Sequence, residues 1–142
     1  MIYESQYWKE DVLRFSKNLK RRQRQKRWSD RSEARVEKEV FYAFYAVRKL
    51  IEAKKLSDRV ANQQVSVRIF PATSKRITLL NWNSAFGQSY DLKKSQKKIL
   101  ALPVVCNQII HSYVFILQLG IKGGLRGIYF ASDFQRHKGV YF

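Results

Sequence analysis

The chain has 142 residues, 45% of them hydrophobic and 14% aromatic, which is enough apolar material for one core and excludes wholesale disorder. Twenty-eight Lys and Arg against eleven Asp and Glu give a formal charge of +17. Self-repulsion of that size calls for a polyanionic partner, with nucleic acid first, anionic lipid second and an acidic protein third. A single cysteine excludes an intramolecular disulfide and an all-cysteine metal site.

The opening "MIYESQYWKEDVLRF" carries charges where a signal peptide needs apolar residues, and "IIHSYVFILQLGI" is too short and too polar to span a bilayer. A cytoplasmic address is therefore expected, with a nucleoid or nuclear one also compatible with "KNLKRRQRQKR". From Glu4 to about Arg27 there is neither Gly nor Pro, and Trp8, Leu13, Phe15 and Leu19 spread over a helical period, so a first helix is predicted. Asp30 with Glu33 reads as a loose capping box opening a second helix. In that helix Val36, Val40, Ala43 or Phe44, Val47 and Leu50 or Ile51 recur at spacings of three and four, and Ser57-Asp58 ends the run. Acids at its front and bases at its back suit the helix dipole.

"QVSVRIF" alternates with period two and "KRITLLNW" is β-rich, with "PATS" between them, which predicts a hairpin. "NWNSAFGQSYD" has the composition of a loop. A third helix is predicted from Leu92 to Phe115, either kinked at Pro103 or restarted there as a more buried helix. "LRGIYFAS" and "KGVYF" read as two strands around the turn "DFQRHKG". The expected fold is α+β: two N-terminal helices, a β-hairpin, a long helix broken near Pro103, and a C-terminal β-hairpin. One basic domain, 1–142, is expected, with residues 1–28 as a basic helical arm and 29–142 as the core.

The arm holds Arg14, Lys17, Lys20, Arg21, Arg22, Arg24, Lys26 and Arg27 without one acid between them. On a continuous helix the cations from 20 to 27 would point all around and repel one another, so this end is expected to fray without a ligand. Gln23 and Gln25 lie among them and Trp28 follows. Point charges, amide hydrogen bonds and a stacking ring are the mixture that binds nucleic acid. A merely solvating helix would carry both signs. A second cluster, Lys93, Lys94, Lys97 and Lys98, would open the third helix at the end its dipole disfavours, so a ligand explains it better than helix stability does. The aromatic content, with no helix-turn-helix or zinc-finger spacing, favours RNA over duplex DNA.

"CNQIIHSYVF", residues 106–115, sets an amide and a histidine in an apolar run. On a helix Asn107 and His111 lie one turn apart on one face. They read either as a structural polar pair or as a proton-transfer pair that needs no metal at a ribose 2′-hydroxyl. "CNQIIH" resembles a degenerate HEPN motif, in which an Arg and a polar residue, often Asn, precede three residues and a His. Asn107 and His111 match the polar and His positions, and Cys106 stands where the Arg belongs. The resemblance implies a small helical domain, usually dimeric, of a kind often found as a metal-independent endoribonuclease in toxin–antitoxin and phage-defence systems. "SDFQRH" (Ser132, Asp133, His137) reads more simply as a polar turn than as a hydrolase site, and "GIKGGLRG" lacks the Lys-Ser or Lys-Thr of a phosphate-binding P-loop. No metal and no cofactor are expected. A nucleic-acid-binding module is expected first, a HEPN-like ribonuclease using His111 and Asn107 second, and a subunit of a larger assembly third. A homodimer would fit any of these.

Overall fold

Ser29, one residue earlier than the sequence suggests, starts the longest helix. Its hydroxyl accepts from the Ser32 amide while the Ser32 hydroxyl accepts from the Ser29 amide, a reciprocal cap that the two short serines close better than Asp30 with Glu33. The computed structural model describes residues 1–142. They divide into two compact units, residues Met1–Gln63 with Leu117–Gly127, and residues Gln64–Ile116 with Ile128–Phe142.

The first unit contains α1 (Ser5–Arg22), α2 (Asp30–Glu52) and the single-turn α3 (Asp58–Ala61). Val36, Val40, Ala46 and Leu50 of α2 are buried at successive intervals of four, six and four, the stripe expected of an amphipathic helix. Helix α2 ends at Glu52 rather than at Ser57, because Lys54 adopts a left-handed φ of 53° that no helix can propagate. Ser57 instead precedes α3. Helix α1 packs on α2, with Asn18 donating to Glu39 at 3.3 Å; its Trp8, Val12, Phe15 and Leu19 are half-buried, and it buries no residue completely.

The second unit contains β1 (Gln64–Pro71), α4 (Phe86–Ser89), β2 (Gln96–Ala101), α5 (Leu102–Ile110) and β5 (Gly139–Tyr141), with a 3₁₀ turn at Gln135–His137. Strands β3 (Ser112–Leu119) and β4 (Leu125–Ser132) contribute residues to both units and complete a five-stranded sheet of order β2-β1-β5-β4-β3. Strand β1 pairs antiparallel with β2, from Gln64 opposite Ala101 to Ile69 opposite Gln96, and with β5, where Phe70 faces Val140. Phe70, Ile77, Phe86, Tyr90, Val114, Ala131 and Val140 form the core of this unit, with the Tyr129 ring in tilted or edge contact with Phe70, Phe86 and Phe142.

The fold is α+β, and three expectations within it are corrected. "KRITLLNW" is not a strand. Both edges of β1 are already taken by β2 and β5, so the segment inserts Ile77 alone into the core and turns on Asn81, whose side-chain oxygen accepts from the Thr78 amide at 2.6 Å. "NWNSAFGQSYD" holds α4 and buries Phe86, Ser89 and Tyr90. The predicted helix from Leu92 to Phe115 is three elements, β2, α5 and β3. Four closely spaced lysines repel one another on a helix, whereas here Lys93 and Lys94 precede the strand and only Lys97 and Lys98 lie on it, their side chains alternating along a backbone paired with β1. Pro103 sits in the first turn of α5, where a missing N–H costs nothing. The C-terminal hairpin forms as expected, with Phe130 opposite Tyr141. No helix is long and apolar enough to cross a membrane.

Candidate nucleic-acid interface

Helix α1 stops at Arg22, which changes the geometry of the basic run. Continuing it would stack like charges one turn apart, Lys20 on Arg24 and Arg22 on Lys26, each such pair destabilising. The chain turns instead at Gln23-Arg24 and leaves as a connector over residues 25–29. Gln25 stitches this exit, accepting from Arg22 Nη1 at 2.6 Å and donating to the Arg27 carbonyl at 2.8 Å. The cations therefore do not surround one helix, and the amides of Gln23, Arg24 and Gln25 close the exit by donating to the Lys20, Arg21 and Arg22 carbonyls.

The connector lies on the β3–β4 turn, within the same unit. Gly123 has φ 94°, and a Cβ there would come within 2.6 Å of the Lys26 carbonyl oxygen, while one on Gly124 would overlap the Gln23 carbonyl oxygen. Glycine is needed at both because the two backbones touch. The Trp28 indole N–H donates to the Gly123 carbonyl at 2.6 Å, leaving the ring half-buried. This turn brings two further cations, Lys122 and Arg126, into the unit that holds the basic run.

On α1 itself, Tyr7, Arg14 and Arg21 recur every seven residues with Lys17 beside them, all exposed, so they form one stripe on the face away from Trp8 and Phe15. Arg14 pairs with Asp11 at 2.6 Å across the surface, and it is the only member of the basic run with an acid partner. The stripe could have been found from the heptad interval. Opposing charges are balanced elsewhere: Arg48 and Lys49 both hold Glu52, at 2.7 and 3.0 Å, and keep its carboxyl below the usual range.

The second lysine cluster is split. Lys93 and Lys94 lie in a turn organised by Asp91, whose carboxylate accepts from the Lys93 amide at 3.1 Å and faces Lys94 at 3.8 Å. Lys97 and Lys98 lie on β2, an edge strand, where lysine also discourages pairing with other chains. Lys97 stands directly opposite Arg68 of β1, and Lys98 reaches over the Tyr141 ring at 5.8 Å. The second unit has nine Lys and Arg and two acids, Asp91 and Asp133, both of which are already in ion pairs.

Asn107 and His111 are brought to α5 as the spacing implies, but at its end. His111 is the C-cap residue, exposed, and its amide donates to the Asn107 carbonyl at 3.0 Å. The two side chains make no hydrogen bond with each other, and Asn107 Oδ1 is buried without any partner. Cys106 is fully buried, so the position that carries Arg in the HEPN motif has no access to solvent here. Of the polar turn, Ser132 Oγ accepts from the Gln135 amide at 3.2 Å and Asp133 pairs with Arg136 at 2.7 Å. Asp133 and His137 are each exposed, and no group of three or more His, Cys, Asp or Glu side chains comes together.

Two phenols are displaced from the ordinary range. Burial pushes Tyr90 up to about 12, against a weaker downward pull from Arg136, and its hydroxyl donates to the Arg136 carbonyl at 2.9 Å. Burial also raises Tyr129, with Arg68 opposing it. No family model matches the chain, and neither a curated protein nor a solved structure matches it.

Proposed function

We propose that this protein binds single-stranded nucleic acid, RNA above DNA, along the cationic stripe of α1 and the connector that follows it. The observation that carries this reading is the lack of acid partners for Lys17, Lys20, Arg21, Arg22, Arg24, Lys26 and Arg27. Cations held apart on an ordered backbone lose little entropy when phosphates bridge them, and counterion release then drives binding. Exposed Tyr3 and Tyr7 at the head of α1 offer flat faces on which unpaired bases can stack, which favours single strands. Lipid is the weaker partner because the basic run has few apolar side chains to insert beside its charges. The test is a titration of a fluorescent single-stranded RNA with the wild-type protein and with a variant in which Arg14, Lys17 and Arg21 are Gln. Loss of at least about tenfold in affinity supports the reading, and equal affinity overturns it.

A second reading rests on His111. An exposed imidazole with no hydrogen-bond partner, one turn from an orphaned amide oxygen, is free to accept a proton from a ribose 2′-hydroxyl. In this reading the protein is a metal-independent, HEPN-like ribonuclease, and Asn107 orients the substrate. Cleavage of RNA by wild-type protein in EDTA, lost in His111→Ala, would favour it over a binding module.

A further inference from the structure

After β1 the chain does not turn back into a hairpin. It continues as a loop, residues 72–77, exposed at 73–76 and tied down along one side. The Thr73 amide donates to the Ser89 carbonyl at 2.8 Å, the Thr73 hydroxyl to the Gln88 carbonyl at 2.5 Å, and the Ala72 amide to the Lys138 carbonyl at 3.1 Å. Between this loop, the end of α4 and the 3₁₀ turn lies a cavity of about 410 Å³, within the range of about 300–1,000 Å³ typical of small-molecule sites. Ser74, Lys75, Arg76, Ser89, Arg136 and His137 line it, all in the second unit.

The lining is cationic and contains no acid. Arg76 is exposed and its guanidinium has no partner in the protein. Arg136 is fixed: its guanidinium lies 4.0 Å above the Tyr113 ring, Nε pairs with Asp133 at 2.7 Å and Nη1 donates to the Ile77 carbonyl, which leaves Nη2 to point elsewhere. Lys75 Nζ is held by the Gln88 side-chain oxygen. Ser89 is the independent sign of a ligand. It is only 2% exposed, it sits in the wall of the cavity, and its hydroxyl has no hydrogen-bond partner. Buried hydroxyls in folded proteins are nearly always satisfied, and this one, closed to solvent as it stands, gains an acceptor if its χ1 turns toward a ligand held in the cationic cavity.

We infer that this cavity is a phosphate site, taking a phosphate monoester on Arg76, Arg136 and the Ser89 hydroxyl. A phosphate supplies several acceptor oxygens and up to two negative charges, matching two guanidinium groups and a hydroxyl. No aromatic ring lines the cavity other than the His137 imidazole, so it offers a base little to stack on and reads the phosphate end of its ligand. The inference stands on the second unit alone and does not depend on the α1 stripe.

Inorganic phosphate is the probe, added to isotope-labelled full-length protein at constant ionic strength and followed by amide chemical shifts. Saturable shifts confined to residues 72–77, 88–90 and 135–138 are expected. Arg76→Gln should weaken this binding about tenfold or more, as loss of a charge-assisted contact does. Ser89→Ala should weaken it severalfold while leaving the melting midpoint unchanged or higher, because the hydroxyl has no internal partner to lose. The variant with Gln at 14, 17 and 21 should bind phosphate like wild type, which separates this site from the α1 stripe. Oligoribonucleotides of one sequence with a 5′-phosphate or a 5′-hydroxyl, and a nucleoside monophosphate, then distinguish a strand end from a free nucleotide as the source. Non-saturable shifts scattered over the basic surface, or affinity unchanged in both Arg76→Gln and Ser89→Ala, would overturn the inference.

Discussion

The Trp28 indole N–H donates to the Gly123 carbonyl at 2.6 Å, joining residues 95 apart in sequence. This one bond anchors the end of the basic run to the β3–β4 turn. It ties the connector to a turn whose glycines let Gln23 and Lys26 approach backbone to backbone. Trp28→Phe should keep the packing and lose the bond, lowering stability by about 1 kcal/mol. Gly124→Ala should cost more, about 2 kcal/mol or above, because its methyl meets carbonyl oxygen rather than a movable side chain. Thermal and urea melts measure both. A Gly124→Ala protein as stable as wild type would mean the connector does not sit on the turn. Hydrogen exchange offers a second check: amides of residues 23–28 should slow little further when RNA is added.

Salt should govern affinity for RNA. With about five phosphate contacts along α1 and the connector, the plot of log K against log salt should slope at roughly −3 to −4, at about 0.7 per contact on a single strand. Replacing Arg14, Lys17 and Arg21 with Gln should reduce that slope by about 2. The melting midpoint should barely move, since the one ion pair removed, Arg14 with Asp11, is exposed on both sides. Affinity independent of salt would sink the electrostatic account.

Periodicity carried as far as local physics decides structure. The α2 stripe from Val36 to Leu50 and the alternation of Val65, Val67 and Ile69 in β1 were legible because each residue's burial follows from its own helix or strand. What failed was decided at a distance. "KRITLLNW" has the composition of a strand, but β1 had no free edge to offer it. The lysines at 93–98 read as a helix start because nothing local shows that β1 pairs with the segment carrying Lys97 and Lys98. The cavity was invisible for the same reason. Arg76, Ser89 and Arg136 share no motif or spacing, and meet only because the loop after β1, α4 and the 3₁₀ turn converge. The Asn107–His111 spacing was readable, but not that α5 ends at His111.

Lys97 and Arg68 face each other directly across the β1–β2 pair, two like charges on one sheet surface. Such an arrangement is destabilising by a few tenths to about 1 kcal/mol unless an anion bridges it. Lys97→Glu should therefore raise the melting midpoint slightly while weakening nucleic-acid binding. A lower midpoint would mean that the two cations are held by contacts more valuable than their repulsion. A higher midpoint with affinity unchanged would leave Lys97 as an edge guard only.

Alkali should unfold the protein through Tyr90. Its folded phenol ionises at about 12, above the ordinary value of 10, so between those values the unfolded chain releases a proton that the folded one keeps. Stability from this group is complete below about pH 10 and is lost as pH rises toward 12. Tyr90→Phe removes the group and also its bond to the Arg136 carbonyl, so the variant should be weaker at about pH 8, where the phenol is neutral in both states. The gap between wild type and variant should then narrow as pH climbs from 10 to about 12. A gap that stayed constant over this window would show that Tyr90 ionises equally in both states. At the acid end Glu52, lowered by Lys49 and Arg48, contributes in the opposite sense, with stability present above its unfolded value and lost as pH falls through the folded one.

Substitutions on α5 separate stability from chemistry. Because the His111 side chain bonds to nothing and is exposed, His111→Ala should leave stability within about 0.5 kcal/mol of wild type, as surface changes do. A structural pair with Asn107 would instead cost about 1–3 kcal/mol, and the missing side-chain bond argues against that. Asn107 Oδ1 is buried and unsatisfied, so Asn107→Leu should be neutral or stabilising unless the oxygen serves a substrate. The two substitutions are read together in an RNA-cleavage assay with EDTA. If the ribonuclease reading holds, each abolishes cleavage at an unchanged midpoint, and binding to uncleaved RNA persists. If the protein only binds, wild type shows no cleavage and neither change alters affinity. Cys106→Arg gives the last discrimination. It restores the letter of the HEPN motif at a fully buried position, where an unpaired guanidinium should destabilise the protein by several kcal/mol rather than create activity. Cleavage gained by a stable Cys106→Arg protein would reverse that expectation and make α5 a catalytic helix that has lost its cation.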